Sequence, residues 1–314
     1  MEPLGRYFVI SQASLVDSEF FDFVKTYNPL GFIIFSEHES NEQLKETISY
    51  IRSRVKRIFY FVDQEGGRVT RIKTDFDFPS AWEIGQKYSN SEIDKSFVFD
   101  LGFKVGTLLS NIGIDVNFAP CADVLTEKDN KVIGDRAYSD NSELVAILAD
   151  QFASGLKKAG VIPVIKHFPG HGMVKEDSHL ELPLCELEDI SNFVEPFEKL
   201  FHYNFLMTAH VLYTCIDKKF PATLSESIIQ NFLKKELNFQ GCVITDDIKM
   251  KALNSFGSLS DISSIAFSAG CDLILFCEKN LNTVSKVIEE FSYNISRMKE
   301  RIRDADLRIS KVFK

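Results

Sequence analysis

Eight short apolar runs rich in Val, Ile and Phe recur along the 314-residue chain, and longer amphipathic stretches separate them; no other feature limits the possible folds as strongly. The runs are Tyr7 to Ser11, Gly31 to Phe35, Ile58 to Val62, Asp115 to Phe118, Val161 to Ile165, Phe205 to Thr208, Cys242 to Thr245 and Asp272 to Phe276. Strand-length runs alternating with helix-length segments describe repeated β-α units around a parallel sheet. A helix is predicted over Asn41 to Val55, opened by the capping-box pair Ser40 and Gln43, and another over Ser142 to Lys158, ending before Gly160. A long charged helix from about Val284 onward is expected on the outside. Eight such units predict an α/β fold, a single-domain (β/α)8 TIM-type barrel over residues 1–314, with an open doubly wound sheet as the competitor.

The positions of the reactive side chains favour the barrel. Asp63 follows the third run, Asp135 and Arg136 lie in the loop after the fourth, and Lys166 with His167 end the fifth. His210 ends the sixth, and Asp246 with Asp247 end the seventh. Polar groups at so many successive strand ends converge only when the strands close in a ring, since all their carboxyl ends then face one mouth.

Three of the six histidines fall in VIPVIKHFPGHGMVKEDSH, residues 161–179, where a strand pattern runs into a loop bent by Pro169, Gly170 and Gly172. A Lys ending a buried strand needs an acceptor, either a ligand or a neighbouring carboxylate. His171 is read as a brace of the turn, and His210 as either a pocket group or a hydrogen-bonded core histidine. Asp177 and His179 are spaced i, i+2, so in an extended segment both point the same way and the carboxylate can orient the imidazole. In VDQEGGRVTR, residues 62–71, two carboxylates and two arginines surround a glycine pair, as a ligand site or as an ion-pair network, and Asp63 is the member expected to face a ligand. Asp246 and Asp247 must point differently, so one of them enters the mouth.

A net charge of -9 speaks against nucleic acid or an anionic membrane as partner, because both are held by surplus Lys and Arg. The start MEPLGRYFVISQ has no basic region leading into a long apolar stretch, and no apolar run approaches the roughly 20 residues a bilayer requires. The six cysteines form no CxxC pair and read as reduced core residues of a cytoplasmic protein. Two chemistries fit the residues alone. One is metal-assisted hydrolysis by His167, His171 and His179 with an Asp, although Pro169 and Gly170 break any helix that would give them ligand spacing. The other is covalent glycoside or acyl-type chemistry, with an Asp nucleophile opposite a proton donor.

Four segments together resemble glycoside hydrolase family 3, in particular its single-domain bacterial β-N-acetylglucosaminidases of cell-wall recycling: VDQEGGRVTR (62–71), VIGDRAYS (132–139), KHFPGHG with DSH (166–179) and VITDD (243–247). TAHV at 208–211 and PATLS at 221–225 also look like family segments. The resemblance implies a (β/α)8 barrel with Asp246 as nucleophile, His179 as general acid/base and Asp177 as its partner. It implies that Asp63, Arg71, Arg136, Lys166 and His167 hold the terminal sugar, under a loop running from Gly170 to His179. The expected enzyme is a retaining exo-β-N-acetylglucosaminidase. It would need no metal or cofactor, work as a cytoplasmic monomer, and act on muropeptide fragments of the GlcNAc-1,6-anhydroMurNAc type. Phosphorolysis in the same site and silent GlcNAc binding are the alternatives. The chain departs from the family at Met173-Val174, where Asp-Thr is usual, and at Lys249, where a small residue is expected.

Overall fold

Alternation within each strand sorts the side chains into two cores. Val9, Ile33, Phe61, Val116, Val164, Phe205, Ile244 and Leu275 belong to one buried cluster, while their chain neighbours Phe8, Ile10, Phe32, Tyr60, Val62, Leu206, Val243 and Ile274 belong to a larger one. The first cluster fills the inside of a ring of strands and the second lies between the strands and the helices, as the period-two geometry of a strand requires. A computed structural model describes residues 4–13, 16–35 and 40–313.

The eight predicted runs all carry strands, in order Phe8–Ser11, Gly31–Ile34, Phe59–Val62, Val116–Asn117, a fifth in two pieces (Ile162–Pro163 and Ile165–Phe168), Phe205–Thr208, Cys242–Ile244 and Ile274–Phe276. Every pairing between them is parallel. One sheet runs from the eighth strand through the first to the first piece of the fifth, and the other joins the second piece of the fifth to the sixth and seventh. The fifth strand passes from one sheet to the other at Val164, and the parallel bridge between Ile244 and Leu273 joins the seventh strand to the eighth. The ring is thereby closed, and the fold is the TIM-type barrel.

The helices form where the caps predict. Asn41–Arg52 begins with the Ser40 hydroxyl accepting the Gln43 N–H at 3.1 Å, and Ser142–Lys158 begins with the Asn141 side chain accepting the Leu144 N–H. The carboxy-terminal region differs from the single long outer helix predicted from Val284. It is two helices, Leu281–Ile295 and Lys299–Val312, and Phe313 just beyond them is 4% exposed inside the barrel cluster. Its ring lies 4.7 Å from Phe59 and 5.6 Å from Phe205, centroid to centroid. The helix amphipathicity conceals this, because the burying residue lies outside the helical period.

No helix among the described residues is long and apolar enough to cross a membrane. Residues 1–3 of the amino-terminal stretch lie outside the described residues. Cys121, Cys185, Cys242 and Cys271 are buried as expected, whereas Cys277 is half-buried and Cys215 is exposed.

Candidate active site

A pocket of about 260 Å³ opens at the carboxyl ends of the strands. The eight residues that the resemblance assigns to the site all line it: Asp63, Arg71, Arg136, Lys166, His167, Asp177, His179 and Asp246. Asp135, His210 and Asp247 are not among its lining residues, and His210 is a buried histidine held by Thr223 and the Asp247 carbonyl. Glu65, Arg68, Lys131, His171, Ser178 and Met250 line it as well.

The turn after the third strand is locked from below. The buried Gln64 accepts the Arg71 and Ile72 N–H groups at 2.8 and 2.9 Å, and exchanges two 2.9 Å hydrogen bonds with Asn117 of the fourth strand. Gly66 and Gly67 both have positive φ, 107° and 51°, a reversal that favours glycine. The turn presents Asp63 and Glu65 to Lys166, whose ammonium lies 2.6 Å from Asp63 and 2.5 Å from Glu65. Glu65 also takes two hydrogen bonds from Arg136, at 2.8 and 2.9 Å. Burial by itself would raise the Glu65 carboxyl, but Arg136 and Lys166 pull it well below the usual carboxylate range. Burial likewise opposes the charge on Lys166, and Asp63 and Glu65 outweigh it, so Lys166 stays protonated.

Consecutive residues of a regular strand face opposite ways, yet Lys166 and His167 both line the pocket; the peptide between them is cis. His167 Nδ1 lies 2.7 Å from the buried Asp123 carboxylate, and Nε2 lies 3.2 Å from the Arg136 guanidinium. A carboxylate on one side and an obligate donor on the other assign the hydrogen to Nδ1 and make Nε2 the acceptor. Burial would raise Asp123, but His167 and the Cys121 thiol hold its carboxyl at about 2. His171 donates its backbone N–H to the other Asp123 oxygen at 2.6 Å.

On the loop beyond, His179 Nδ1 and its backbone N–H both reach Asp177 Oδ1 at 2.8 Å, leaving Nε2 for a ligand. Asp246 accepts the Asp247 N–H at 2.8 Å. Burial would raise its carboxyl, but His210, His167, that N–H and Lys166 hold it below the ordinary value, so Asp246 is an anion facing the pocket. Asp247 turns away and accepts the N–H groups of Cys277 and Lys249, at 3.0 and 3.2 Å.

The three histidines of the metal reading do not share one site. His167 is tied to Asp123, His171 lies 3.1 Å from the Ser178 hydroxyl, and His179 is tied to Asp177. Among the described residues the side chains whose ligand atoms lie close enough for one ion are Cys121, Asp123 and His167, and hydrogen bonds already join the three.

Residues 14–312 match the family described as glycosyl hydrolase family 3 N terminal domain. The chain belongs to glycosyl hydrolase family 3. A β-hexosaminidase of Haemophilus influenzae is 37% identical over 257 residues, which are 79% of this chain and 72% of that protein. The glycoside hydrolase family 3 β-N-acetylglucosaminidase of Paenibacillus sp. superposes with a TM-score of 0.89 at 28% identity, covering 98% of this chain. This chain spans only 61% of the Paenibacillus chain. NagZ of Neisseria gonorrhoeae, solved with N-trifluoroacetyl-D-glucosamine, superposes with a TM-score of 0.81 at 30% identity over 92% of this chain and 84% of its own. The chain is thus a glycoside hydrolase of the β-hexosaminidase type.

The sequence alone does not distinguish Asp123, which is buried beside His167, or Ser178 of the pocket lining, and it favours Asp63 over Glu65. Asp123 did carry a signal, as a lone acid in the apolar run Val116 to Val124. The Lys249 departure leaves the pocket untouched, because its ammonium pairs with Glu278 at 2.7 Å. In the other departing segment Val174 is buried and Lys175 pairs with Asp129 at 3.0 Å.

Proposed function

We propose that the chain is a retaining exo-β-N-acetylglucosaminidase that removes terminal β-linked GlcNAc from muropeptide fragments of the GlcNAc-1,6-anhydroMurNAc type, in the cytoplasm, during cell-wall recycling. Asp246 attacks the anomeric carbon while His179 protonates the leaving oxygen through Nε2. The neutral imidazole then takes a proton from water as that water opens the glycosyl-Asp246 intermediate. Asp177 fixes the Nδ1–H tautomer and stabilises the imidazolium. Asp63, Arg71, Arg136, Lys166 and His167 grip the sugar hydroxyls.

The carrying observation is the convergence of these eight residues, from separate segments of the chain, on one pocket of about 260 Å³. Ligand pockets commonly run from about 300 to 1,000 Å³, so this one suits a single terminal sugar rather than a long chain. The acylated glucosamine in the Neisseria structure supports a 2-acylamino sugar here. A histidine donor suits the chemistry, since an imidazole can both give and take a proton without the burial a carboxylic acid needs.

The test is turnover of nitrophenyl β-GlcNAc by the wild type, Asp246→Asn and His179→Ala, with mass spectrometry after a 5-fluoro GlcNAc donor. A sugar adduct on Asp246 and loss of turnover in Asp246→Asn are expected. An adduct on another residue, or an unimpaired Asp246→Asn, would sink the assignment. A rate rising steeply with phosphate and yielding sugar 1-phosphate would instead select phosphorolysis.

A further inference from the structure

Ser178 sits between the two residues of the proposed dyad and, unlike them, is withdrawn from solvent. Its side chain is buried, while those of Asp177 and His179 are 39% and 62% exposed. Two contacts hold it there. Its hydroxyl lies 3.1 Å from His171 Nε2, and its carbonyl accepts the Ala252 N–H at 3.2 Å, from the segment that follows Asp246.

His171 is fixed in turn, through its N–H to Asp123 at 2.6 Å and its carbonyl to the Asn130 side-chain amide at 2.7 Å. Asp123 also receives His167 Nδ1. A continuous set of hydrogen bonds therefore links the sugar-facing wall to the loop that carries His179. The other ring nitrogen of His171, Nδ1, is buried with no partner. Buried acceptors go unpaired more readily than buried N–H groups, so the hydrogen belongs on Nε2 and His171 donates to Ser178. Burial keeps the ring neutral, with its pKa lowered to about 4.

We propose that His171 and Ser178 are positioning residues for the proton transfer: they clamp the middle of the dyad loop, so that the position of His179 is referred to the same carboxylate, Asp123, that fixes His167. The inference rests on the reading of His179 as acid/base. The clamp does no chemistry; it holds the donor within reach of the leaving oxygen, where a misplacement of about 1 Å costs about 10²-fold in rate.

The experiment compares two β-GlcNAc substrates, one with a dinitrophenyl leaving group that departs unprotonated and one with an alkyl group that needs the proton. Ser178→Ala is expected to lose about 10²-fold in kcat/KM on the alkyl substrate, mainly in kcat, and at least about tenfold less on the activated one. His171→Ala should reproduce this pattern, and His171→Gln, whose amide nitrogen can occupy the Nε2 position, should recover part of the loss. Equal losses on both substrates in Ser178→Ala and His171→Ala indicate a merely structural role and overturn the proposal, as does a His171→Gln no better than His171→Ala. His179→Ala separates the two layers. If it fails to discriminate between the substrates, the acid/base assignment falls; if it discriminates and neither Ser178→Ala nor His171→Ala does, only the clamp falls.

Discussion

Glu65 and Arg136 meet through two side-by-side hydrogen bonds, Nε to Oε2 at 2.8 Å and Nη2 to Oε1 at 2.9 Å, with both side chains largely removed from water. The same carboxylate holds Lys166 at 2.5 Å, so one acid fixes two of the cations expected to grip the sugar. Removing it leaves two buried charges short of their partner. Glu65→Ala is therefore expected to lower stability by about 3 kcal/mol in urea unfolding. It should also cut kcat/KM on nitrophenyl β-GlcNAc by about 10²-fold, because Lys166 and Arg136 lose their position. A variant with wild-type kcat/KM would refute this role for Glu65.

Acid should lower the protein's stability in two successive pH windows. Burial lowers His171 to about 4 from an ordinary 6.5, so between those values the unfolded chain takes up a proton that the folded protein refuses, and stability falls as pH drops through that window. Burial opposes the charge on Asp123, but His167 and Cys121 hold it at about 2 against an ordinary 3.8; its contribution is complete above the ordinary value and is lost as pH falls toward about 2. His171→Gln cannot titrate, so its loss of stability between about pH 7 and pH 4 should be smaller than the wild type's by up to about 3 kcal/mol. Urea titrations at several pH values check this, and parallel curves for the two proteins would contradict it.

The barrel was legible because alternation in short apolar runs is a local property, and each of the eight runs carries a strand. That Asp63, Lys166, His167 and Asp246 share one pocket was legible for a related reason: they stand at or just past the ends of predicted strands, and closure of the ring brings strand ends together. What escaped depends on relationships without a sequence period. Asp123 stands as the lone acid in an apolar run, and its partners His167 and His171, more than forty residues away in the chain, are joined to it only by the fold. The orientations of Lys166 and His167 depart from strand alternation, so no periodicity could have put both in the pocket. Ser178 and Asp177 are adjacent in sequence and opposite in exposure, which follows from where Ala252 and His171 lie rather than from residue type.

Phe313 makes the same point at the other core. Its ring is within 6.0 Å of those of Phe59, Phe61 and Phe205, so the end of the chain helps fill the barrel interior instead of lying outside it. Phe313→Ala empties that space and is expected to cost about 3–5 kcal/mol. Thermal and urea unfolding measure it, and a loss below about 1 kcal/mol would mean the interior closes without this ring.

Lys249 is the departure from the family pattern nearest to the proposed nucleophile, and its partner determines its effect. The ammonium lies 2.7 Å from Glu278, and it is absent from the residues lining the pocket that holds Asp246. The pair is partly exposed, with the lysine side chain at 39%, so solvent screens the charge from Asp246 and the pair contributes at most about 1 kcal/mol to stability. The Lys249 N–H bond to Asp247 is a backbone contact that a side-chain substitution retains. Lys249→Ala should therefore change kcat/KM on nitrophenyl β-GlcNAc by less than about threefold and leave the pH dependence of kcat/KM where it was, since no charge facing Asp246 is altered. A displaced acid limb in that profile would show instead that Lys249 acts on Asp246 through the field of the barrel mouth.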